Sequence, residues 1–283
     1  MIARRAFDFT AGSAHFCLGP ETKLMGVINV TPDSFSDGGR FIDPARAEIQ
    51  ALRMQDEGAH FLDLGAESSR PGAPSVSWRE EWRRLQPVLK RLAPKLKLPI
   101  SVDTTKPEVA EAALEQGAVL VNDITGLRSK RMAKLIAKNN ASVVLMHMQG
   151  TPRTMQKKPS YRNVVKEVKA VMRRSIHAAR EAGIPASHIL IDPGFGFGKT
   201  VEHNYSLLSH LDEFTSLGYP VLVGLSRKSF LGAALGLPVG NRLHVSIAAA
   251  CVAIAGGAHV LRVHDVLAHR QAASAMDCLR SAR

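Results

Sequence analysis

The sequence predicts an α/β fold in which eight parallel strands close into a (β/α)8 TIM barrel with helices on the outside. Short apolar runs recur along the chain, at residues 24–30, 61–65, 100–103, 119–123, 143–147, 189–192, 221–226 and 259–264. Because these runs are apolar throughout, they indicate strands buried on both faces, as in a parallel sheet. A doubly wound open sheet shares this pattern, but the strand count, the length of 283 residues and the even composition favour the barrel.

Helical patterns fill the gaps between the runs. Asp43 followed by Pro44 predicts a helix start, and Thr105 and Glu108 have the spacing of a capping box for another helix. An apolar stripe at helical spacing runs through residues 161–182. We interpret such stripes as the faces that pack against the strands.

Residues 6–18 consist of two short apolar pieces around a turn, which predicts a small hairpin that plugs the bottom of the barrel. No linker, internal repeat or low-complexity tract interrupts the sequence. We therefore expect a single domain over residues 1–283, in which residues 1–23 form the N-terminal hairpin and extension.

The chain is strongly basic, with a formal net charge of +12. This charge makes nucleic acid the first partner to consider. However, the Lys and Arg residues are scattered, and the three Tyr and two Trp residues give no aromatic interleaving for stacking bases. The charge therefore favours an enzyme with anionic small-molecule ligands and argues against nucleic-acid binding.

The cysteines and the apolar stretches favour a cytoplasmic protein. Cys17, Cys251 and Cys278 are far apart and form no C-x-x-C motif, which is typical of a reducing compartment. Arg4-Arg5 is not followed by the apolar segment of an export signal, and the most apolar stretch, 245–258, is too short to span a membrane. We expect no membrane partner.

Nearly every predicted strand ends on a polar residue. The residues at these positions are Asn29, Asp63, Asp103, Asn122, His147, Asp192, Ser226, Arg262 and His264. A buried strand gains nothing from an unpaired carboxylate, because removing its charge from water destabilises the fold. Since the carboxyl ends of barrel strands meet at one rim, these residues predict an active site there.

Three loops at the same rim carry further signals. Residues 31–41 and 67–77 are rich in Gly, Ser and Pro, and we interpret them as lids over a ligand. Residues 192–200 look like a phosphate-binding loop but lack one residue of the Walker A spacing. Their glycines indicate that backbone and aromatic rings approach a flat ligand closely.

Eight short motifs follow one another in order, at residues 25–39, 67–72, 101–104, 122–126, 146–152, 192–199, 226–228 and 262–265. Among them are Asn29-Val-Thr-Pro-Asp-Ser-Phe-Ser-Asp, Glu67-Ser-Ser-Arg70 and Ser226-Arg-Lys228. Together they resemble the dihydropteroate synthase family. The resemblance implies condensation of 6-hydroxymethyl-7,8-dihydropterin diphosphate with p-aminobenzoate, release of diphosphate, and Mg²⁺ as cofactor. It also implies a homodimer that is a target of sulfonamides.

Positions that match the family's motifs imply roles for single residues. By resemblance, Asp192 binds the pterin's 2-amino group and ring N–H with both carboxylate oxygens, and Lys228 binds the carbonyl side. Asn122 and Asp103 meet the opposite edge of the ring. Asn29 ligates Mg²⁺ through its amide oxygen.

The resemblance implies larger sets as well. The substrate-binding residues are Ser69, Asp103, Asn122, Met146, Asp192, Phe197, Ser226, Lys228, Arg262 and His264. The catalytic residues are Arg70, Lys228, Arg262 and His264. Three of these, Arg70, Arg262 and His264, would hold the departing diphosphate.

The sequence departs from the family's usual motifs in a few places. Ala66 stands where Gly is usual, and a positive φ there would strain its Cβ. Ser69 replaces Thr but keeps the hydroxyl, and Asn163 replaces Asp at a helix start, where either residue caps. Val245 replaces Gly at the entry to the last barrel helix. None of these changes removes a catalytic position.

The sequence leaves alternatives open. A pterin-binding methyltransferase shares the barrel and the pterin-binding Asp and Asn, but it needs no diphosphate clamp. An RNA-binding protein on a degenerate barrel predicts salt-sensitive RNA affinity. An inactive regulatory paralogue binds pterin without turnover.

A zinc site has no support in the sequence, because the eleven His residues show no H-E-x-x-H spacing. We interpret one of them, His147, as a packed structural residue beneath the pterin.

Overall fold

The computed structural model describes residues 4–31, 43–70, 72–233 and 235–282. The strands in these residues are β1 (Phe7–Ala11), β2 (Ala14–Leu18), β3 (Lys23–Asn29), β4 (Phe61–Gly65), β5 (Ile100–Asp103), β6 (Leu120–Asp123), β7 (Ser142–Met146), β8 (Ile189–Asp192), β9 (Leu222–Val223) and β10 (Val260–Val263). β1 and β2 pair antiparallel, and the other eight form a parallel sheet in the order β8-β7-β6-β5-β4-β3-β10-β9. A bridge between Ile191 in β8 and Val221, just before β9, joins the two edges. The predicted barrel is confirmed.

One strand is much shorter than predicted. The apolar run at 221–226 gives only the two residues of β9. The chain leaves the sheet after Val223 and enters a turn at Ser226 and Arg227. Arg227 has a φ of 59°, a left-handed conformation that an extended strand cannot contain.

The described helices alternate with the barrel strands. They are α1 (Pro44–Asp56), α2 (Trp78–Leu92), α3 (Pro107–Glu115), α4 (Lys130–Lys138), α5 (Val164–Glu181), α6 (Val201–Ser209), α7 (Asp212–Thr215), α8 (Ser229–Ala233), α9 (Leu243–Ala255) and α10 (Val266–Ser281). None of them combines the length and the hydropathy that crossing a membrane requires. Their buried faces pack against the outward-facing strand residues, such as Leu24, Ile28 and Leu62.

The helix starts follow local chemistry. As predicted, the Asp43 carboxylate accepts a hydrogen bond from Ala45 N at the start of α1, and the Asn163 amide oxygen accepts one from Lys166 N at the start of α5. The capping box predicted at Thr105 is wrong. The N-cap of α3 is Lys106, which gives no side-chain hydrogen bond, because Pro107 sets the start of the helix.

The hairpin of β1 and β2 closes the bottom of the barrel, as predicted. Phe9 and Leu18 are buried against inward-facing residues at or near the amino ends of the barrel strands. Those strand residues are Met25, Phe61, Leu120, Val144, Leu190, Leu222 and Val260. This apolar plug fills the lower half of the barrel and leaves polar residues to line the upper half.

Candidate active site

The site begins directly above the apolar plug. Side chains alternate along a strand, so the inward-facing residue that follows a plug residue is two positions further on. In four strands that next residue is charged or an amide. The pairs are Phe61 and Asp63, Leu120 and Asn122, Leu190 and Asp192, and Val260 and Arg262. The inward-facing residues of these strands are therefore apolar at the bottom of the barrel and polar in the next layer, toward the rim.

Arg262 joins this layer into a network. Its Nε donates to Asp63 Oδ2 at 2.6 Å, and its Nη2 donates to Asp103 Oδ2 at 2.9 Å. Asn122 Nδ2 donates to the same Oδ2 of Asp63 at 3.0 Å. Asp63 is fully buried, at 0 % exposure. The predicted site residues Asp103, Asn122 and Arg262 therefore share one hydrogen-bonded cluster.

The charges in this cluster depend on one another. Burial raises the pKa of Asp103 to about 7, although the positive charge of Arg262 opposes the shift. Burial would by itself lower the pKa of Arg262, but the carboxylates of Asp63 and Asp103 raise it above its usual value. Arg262 is therefore always a cation, whereas Asp103 can change charge near neutral pH.

Asp192 faces the network from the far side of the barrel. Its Oδ1 accepts a hydrogen bond from Gly194 N at 2.7 Å. Burial raises the pKa of Asp192, while this hydrogen bond and the charges of Lys228, Lys199 and Arg262 lower it. Lys228 and Arg262 therefore lie close enough to Asp192 for their charges to interact across the space above the plug.

Lys228 stands over an aromatic ring beside that space. Its Nζ lies 4.2 Å from the centre of the Phe197 ring, a cation–π contact. Burial lowers the pKa of Lys228 to about 8, and the charge of Arg262 lowers it further. Phe197 also packs with Met146, Ile124 and Met148 in a small apolar cluster. This cluster provides an apolar wall next to the charged groups.

Ser226 and His264 form a pair at the ends of β9 and β10. Ser226 Oγ accepts a hydrogen bond from His264 N at 3.2 Å and lies 3.1 Å from His264 Nδ1. Burial lowers the pKa of His264 to about 3, and the charge of Arg262 acts in the same direction. The imidazole is therefore neutral, and the Ser226 hydroxyl is free to donate to Nδ1. Nε2–H then remains as the ring's donor.

Arg227 lies in the middle of the Ser226-Arg-Lys228 motif, and its contacts shape the local turn. Its guanidinium forms two hydrogen bonds with Asp265, from Nη2 at 2.6 Å and from Nε at 3.0 Å. Its backbone N donates to Ser246 Oγ at 2.9 Å. These bonds hold the left-handed turn that brings Ser226 and Lys228 to the site.

The lysine of the loop at 192–200 is turned into the loop itself. Lys199 is buried, and its Nζ donates to the carbonyl oxygens of Gly194 and Phe197, at 2.8 Å and 2.9 Å. It also lies 2.9 Å from His147 Nδ1. Burial lowers the pKa of Lys199 to about 7 and that of His147 to about 2. Lys199 thus fixes the shape of its own loop, and His147 is a buried structural residue, as we interpreted it.

Two predicted residues lie nearer the rim. Asn29 and Asp103 both face the space beside Gly65, which has no side chain of its own. A Cβ atom built on Gly65 would lie 3.8 Å from Asn29 Oδ1 and 3.7 Å from Asp103 Oδ2. Arg70 is exposed, and its side chain forms no hydrogen bond or ion pair with any residue that the structure describes. Arg70 therefore stands apart from the network joined by Arg262.

Ser69 lines a cavity of about 340 Å³ that opens beside Asp103. The loop that carries Ser69 is tied down at Glu67, which accepts hydrogen bonds from Val76 N at 2.8 Å and from Lys106 Nζ at 2.7 Å. Of the predicted lid at 31–41, only Thr31 is among the described residues. The structure therefore describes one of the two predicted lids.

The departures from the family's motifs cause no strain in the described residues. Ala66 is not at a positive φ; the non-glycine residues that are, in the ranges the structure covers, are Leu127, Asn140 and Arg227. Val245 lies in the first turn of α9 and packs against the core. Both changes fit the local backbone.

Magnesium needs few protein ligands when a substrate brings its own phosphate oxygens. Within the described residues, no group of three or more His, Cys, Asp or Glu side chains is arranged to hold a metal ion. The amide oxygen of Asn29 near the carboxylate of Asp103 is a hard-oxygen donor set of the kind that accompanies a diphosphate-bound Mg²⁺. The residues present therefore fit a metal that arrives with its substrate.

Sequence comparison places these residues in a known family. A family model described as pterin binding enzyme matches residues 25–264. The dihydropteroate synthase of Haemophilus influenzae is 46% identical over 246 residues, which cover 87% of this chain and 90% of that protein.

Solved structures agree with this relationship. A dihydropteroate synthase from Yersinia pestis in complex with a sulfonamide drug superposes with a TM-score of 0.92 at 41% identity, covering 97% of this chain and 100% of that one. The enzyme from Thermus thermophilus in complex with 4-aminobenzoate gives a TM-score of 0.87 at 46% identity, covering 96% and 100%. The chain belongs to the dihydropteroate synthase family of pterin-binding enzymes.

Proposed function

We propose that this protein condenses 6-hydroxymethyl-7,8-dihydropterin diphosphate with p-aminobenzoate to give 7,8-dihydropteroate and diphosphate. The observation that carries this proposal is the polar layer above the plug. There Asp192, Lys228, Arg262 and the Asp63–Asn122 pair surround one space beside the apolar wall of Phe197 and Met146. Such a site suits a flat, polar-edged ring that carries an anionic substituent.

Pterin recognition falls to the carboxylates and the amide. An ionised Asp192 accepts paired N–H donors, such as a ring N–H and the adjacent amino group, and the cations near it favour that ionised form. Lys228 supplies a donor to the carbonyl side of the ring. Asn122 and Asp103 meet the opposite edge, where donors and acceptors alternate.

The leaving group is the chemical difficulty. An arylamine is neutral at pH 7 and already nucleophilic, so the reaction needs no strong general base. Charge instead develops on the diphosphate as the C–O bond breaks, and fixed cations and donors stabilise it. Arg262 is the partly buried cation in place for this role. Neutral His264 adds a hydrogen bond, and exposed Arg70 adds charge from the rim.

Mg²⁺ would be held by Asn29 together with the diphosphate, and when bound it would neutralise negative charge on the leaving group. The protein's own share is to keep Asn29 above Gly65, beside the carboxylate of Asp103.

We also propose that the chain forms a homodimer through the face made by α6, α8 and α9. An apolar groove of about 360 Å³ lies on this face and is lined by Leu208, Leu231 and Ala249. Three large apolar side chains on or beside it are exposed: Tyr205 at 43%, Leu235 at 63% and Val252 at 50%. A second copy covering these side chains would remove apolar surface from water.

The test is diphosphate release by the purified protein with the pterin diphosphate, p-aminobenzoate and Mg²⁺. Release should require p-aminobenzoate, and a sulfonamide should compete with it. Asp192→Asn keeps the shape of the side chain but loses an acceptor, so it should abolish pterin binding. A pterin-binding methyltransferase or an inactive paralogue would bind pterin without releasing diphosphate, and that result would refute the proposal. Near-normal pterin binding by D192N would refute the role of Asp192.

A further inference from the structure

We infer that Asp63 is a positioning residue for this reaction, because one of its oxygen atoms fixes both Arg262 and Asn122 in the orientations that bind the pterin substrate. The inference rests on the proposed function and extends it to a residue that does not itself meet the substrate.

The geometry sets Asp63 apart from the other acids. It has no exposed surface, and of its two oxygen atoms only Oδ2 accepts hydrogen bonds from the described residues. Its Oδ2 accepts hydrogen bonds from Arg262 Nε at 2.6 Å and from Asn122 Nδ2 at 3.0 Å. One carboxylate atom thus couples a residue of β10 to a residue of β6 across the barrel.

This pairing decides which atoms remain for a ligand. The amide of Asn122 must turn its NH₂ group toward Asp63, because its oxygen would be repelled there. Asn122 Oδ1 is then left as an acceptor, and it receives no hydrogen bond from any described residue. Asn122 therefore suits a ring N–H donor. Arg262 uses Nε and Nη2 on Asp63 and Asp103, and its other N–H groups are left for an anion.

Positioning and mere support of the fold predict different kinetic effects. Loss of a residue that only supports the fold should affect both substrates alike. Loss of the hydrogen bonds to Arg262 and Asn122 should instead affect the pterin diphosphate, because these two residues are the ones that meet it.

The experiment is Asp63→Asn in the full-length chain, assayed with both substrates and Mg²⁺. For the pterin diphosphate, kcat/KM should fall by about 10²-fold, as on loss of one preorganised donor. The KM for p-aminobenzoate should change by less than about 3-fold. Equal losses for both substrates would overturn the inference.

Asp123→Asn is the matched control. Asp123 is also a buried carboxylate at a strand end, but it accepts hydrogen bonds only within its own loop, from Thr125 N at 2.8 Å and Leu127 N at 3.0 Å. D123N should lower the Tm and affect both substrates alike. If D123N lowered kcat/KM for the pterin diphosphate selectively, as D63N does, that loss would reflect general loosening and the inference would fail.

A double-mutant cycle tests whether Asp63 acts through Arg262. If it does, D63N should lower kcat/KM less in the R262A background than in the wild-type background, and the part that remains is its effect through Asn122. Equal losses from D63N in both backgrounds would contradict positioning. If D63N does not fold, Asp63→Ser, which keeps a smaller acceptor, takes its place. Failure of both variants to fold would make Asp63 a stability residue and overturn the inference. Wild-type turnover in the same assay tests the proposed function separately.

Discussion

At the scale of single residues, the site is built from groups whose charges are set by their neighbours. Asp103 and Lys228 are the clearest cases, because burial raises the pKa of Asp103 to about 7 and lowers that of Lys228 to about 8. Both residues therefore change charge near neutral pH. His264, in contrast, stays neutral throughout this range because burial lowers its pKa to about 3.

These pKa values predict a bell-shaped pH dependence of pterin binding. Below about pH 7 Asp103 gains a proton and loses its charge, and above about pH 8 Lys228 loses a proton and its charge. Affinity should therefore be highest between these values. Calorimetry with 6-hydroxymethyl-7,8-dihydropterin, which has no phosphate to titrate, measures this profile. Asp103→Asn should remove the acid limb and keep the alkaline one, and an acid limb that persists in D103N would show that another group causes it.

Single residues also show how far the sequence predicts the site. Asp103, Asn122, Asp192, Lys228 and Arg262 were named from motifs, and the structure brings them around one space. Asp63 is among the polar strand residues that predict the site, so its signal was present. Its role was missed because only the structure shows that the Asp63 carboxylate is shared by two other site residues.

At the scale of elements, the glycine-rich loop after β8 shows that a motif can suggest the wrong partner. The sequence suggests a phosphate loop, but Lys199 donates to the loop's own carbonyl oxygens. The reason is its burial, since a lysine with 2 % exposure must find internal acceptors. No sequence pattern distinguishes a lysine turned inward from one that faces a ligand.

We expect Lys199→Met to loosen this loop without touching the diphosphate site. The variant removes the ammonium that holds the Gly194 and Phe197 carbonyl groups, so the Tm should fall and the KM for the pterin diphosphate should rise several-fold. Inhibition by inorganic diphosphate should change by less than about 2-fold, whereas R262A should weaken it by about 10-fold or more. Equal weakening of diphosphate inhibition in K199M would restore the phosphate-loop interpretation.

The sequence predicts the ends of helices and strands correctly where local chemistry decides them. Asp43 and Asn163 cap their helices as predicted, because a side chain that accepts from its own helix needs only local chemistry. The capping box at Thr105 and the length of β9 were wrong, because Pro107 and the left-handed Arg227 decide them. Arg227 in turn depends on Asp265 and Ser246, which are distant in sequence.

At the scale of the whole molecule, the barrel separates stability from function along its axis. The hairpin and seven inward-facing strand residues fill the lower half with apolar side chains. The next inward layer is polar and carries the site. The alternation of inward-facing residues sets this division, so the sequence predicts both the plug and the ring of strand-end residues before any contact is known.

The outer surface leads to the last prediction, which concerns assembly. Tyr205, Leu235 and Val252 expose 43%, 63% and 50% of their surface around one apolar groove, and a stable interface needs roughly 800 Å² from each partner. Val252→Glu places a charge in the middle of α9 and should convert a dimer into a monomer, measured by light scattering during size-exclusion chromatography. Ile49→Glu is the matched control, because Ile49 is 68% exposed on α1, away from this face, and should leave the mass unchanged. A monomeric wild-type protein, or equal dissociation by I49E, would contradict an interface at α9.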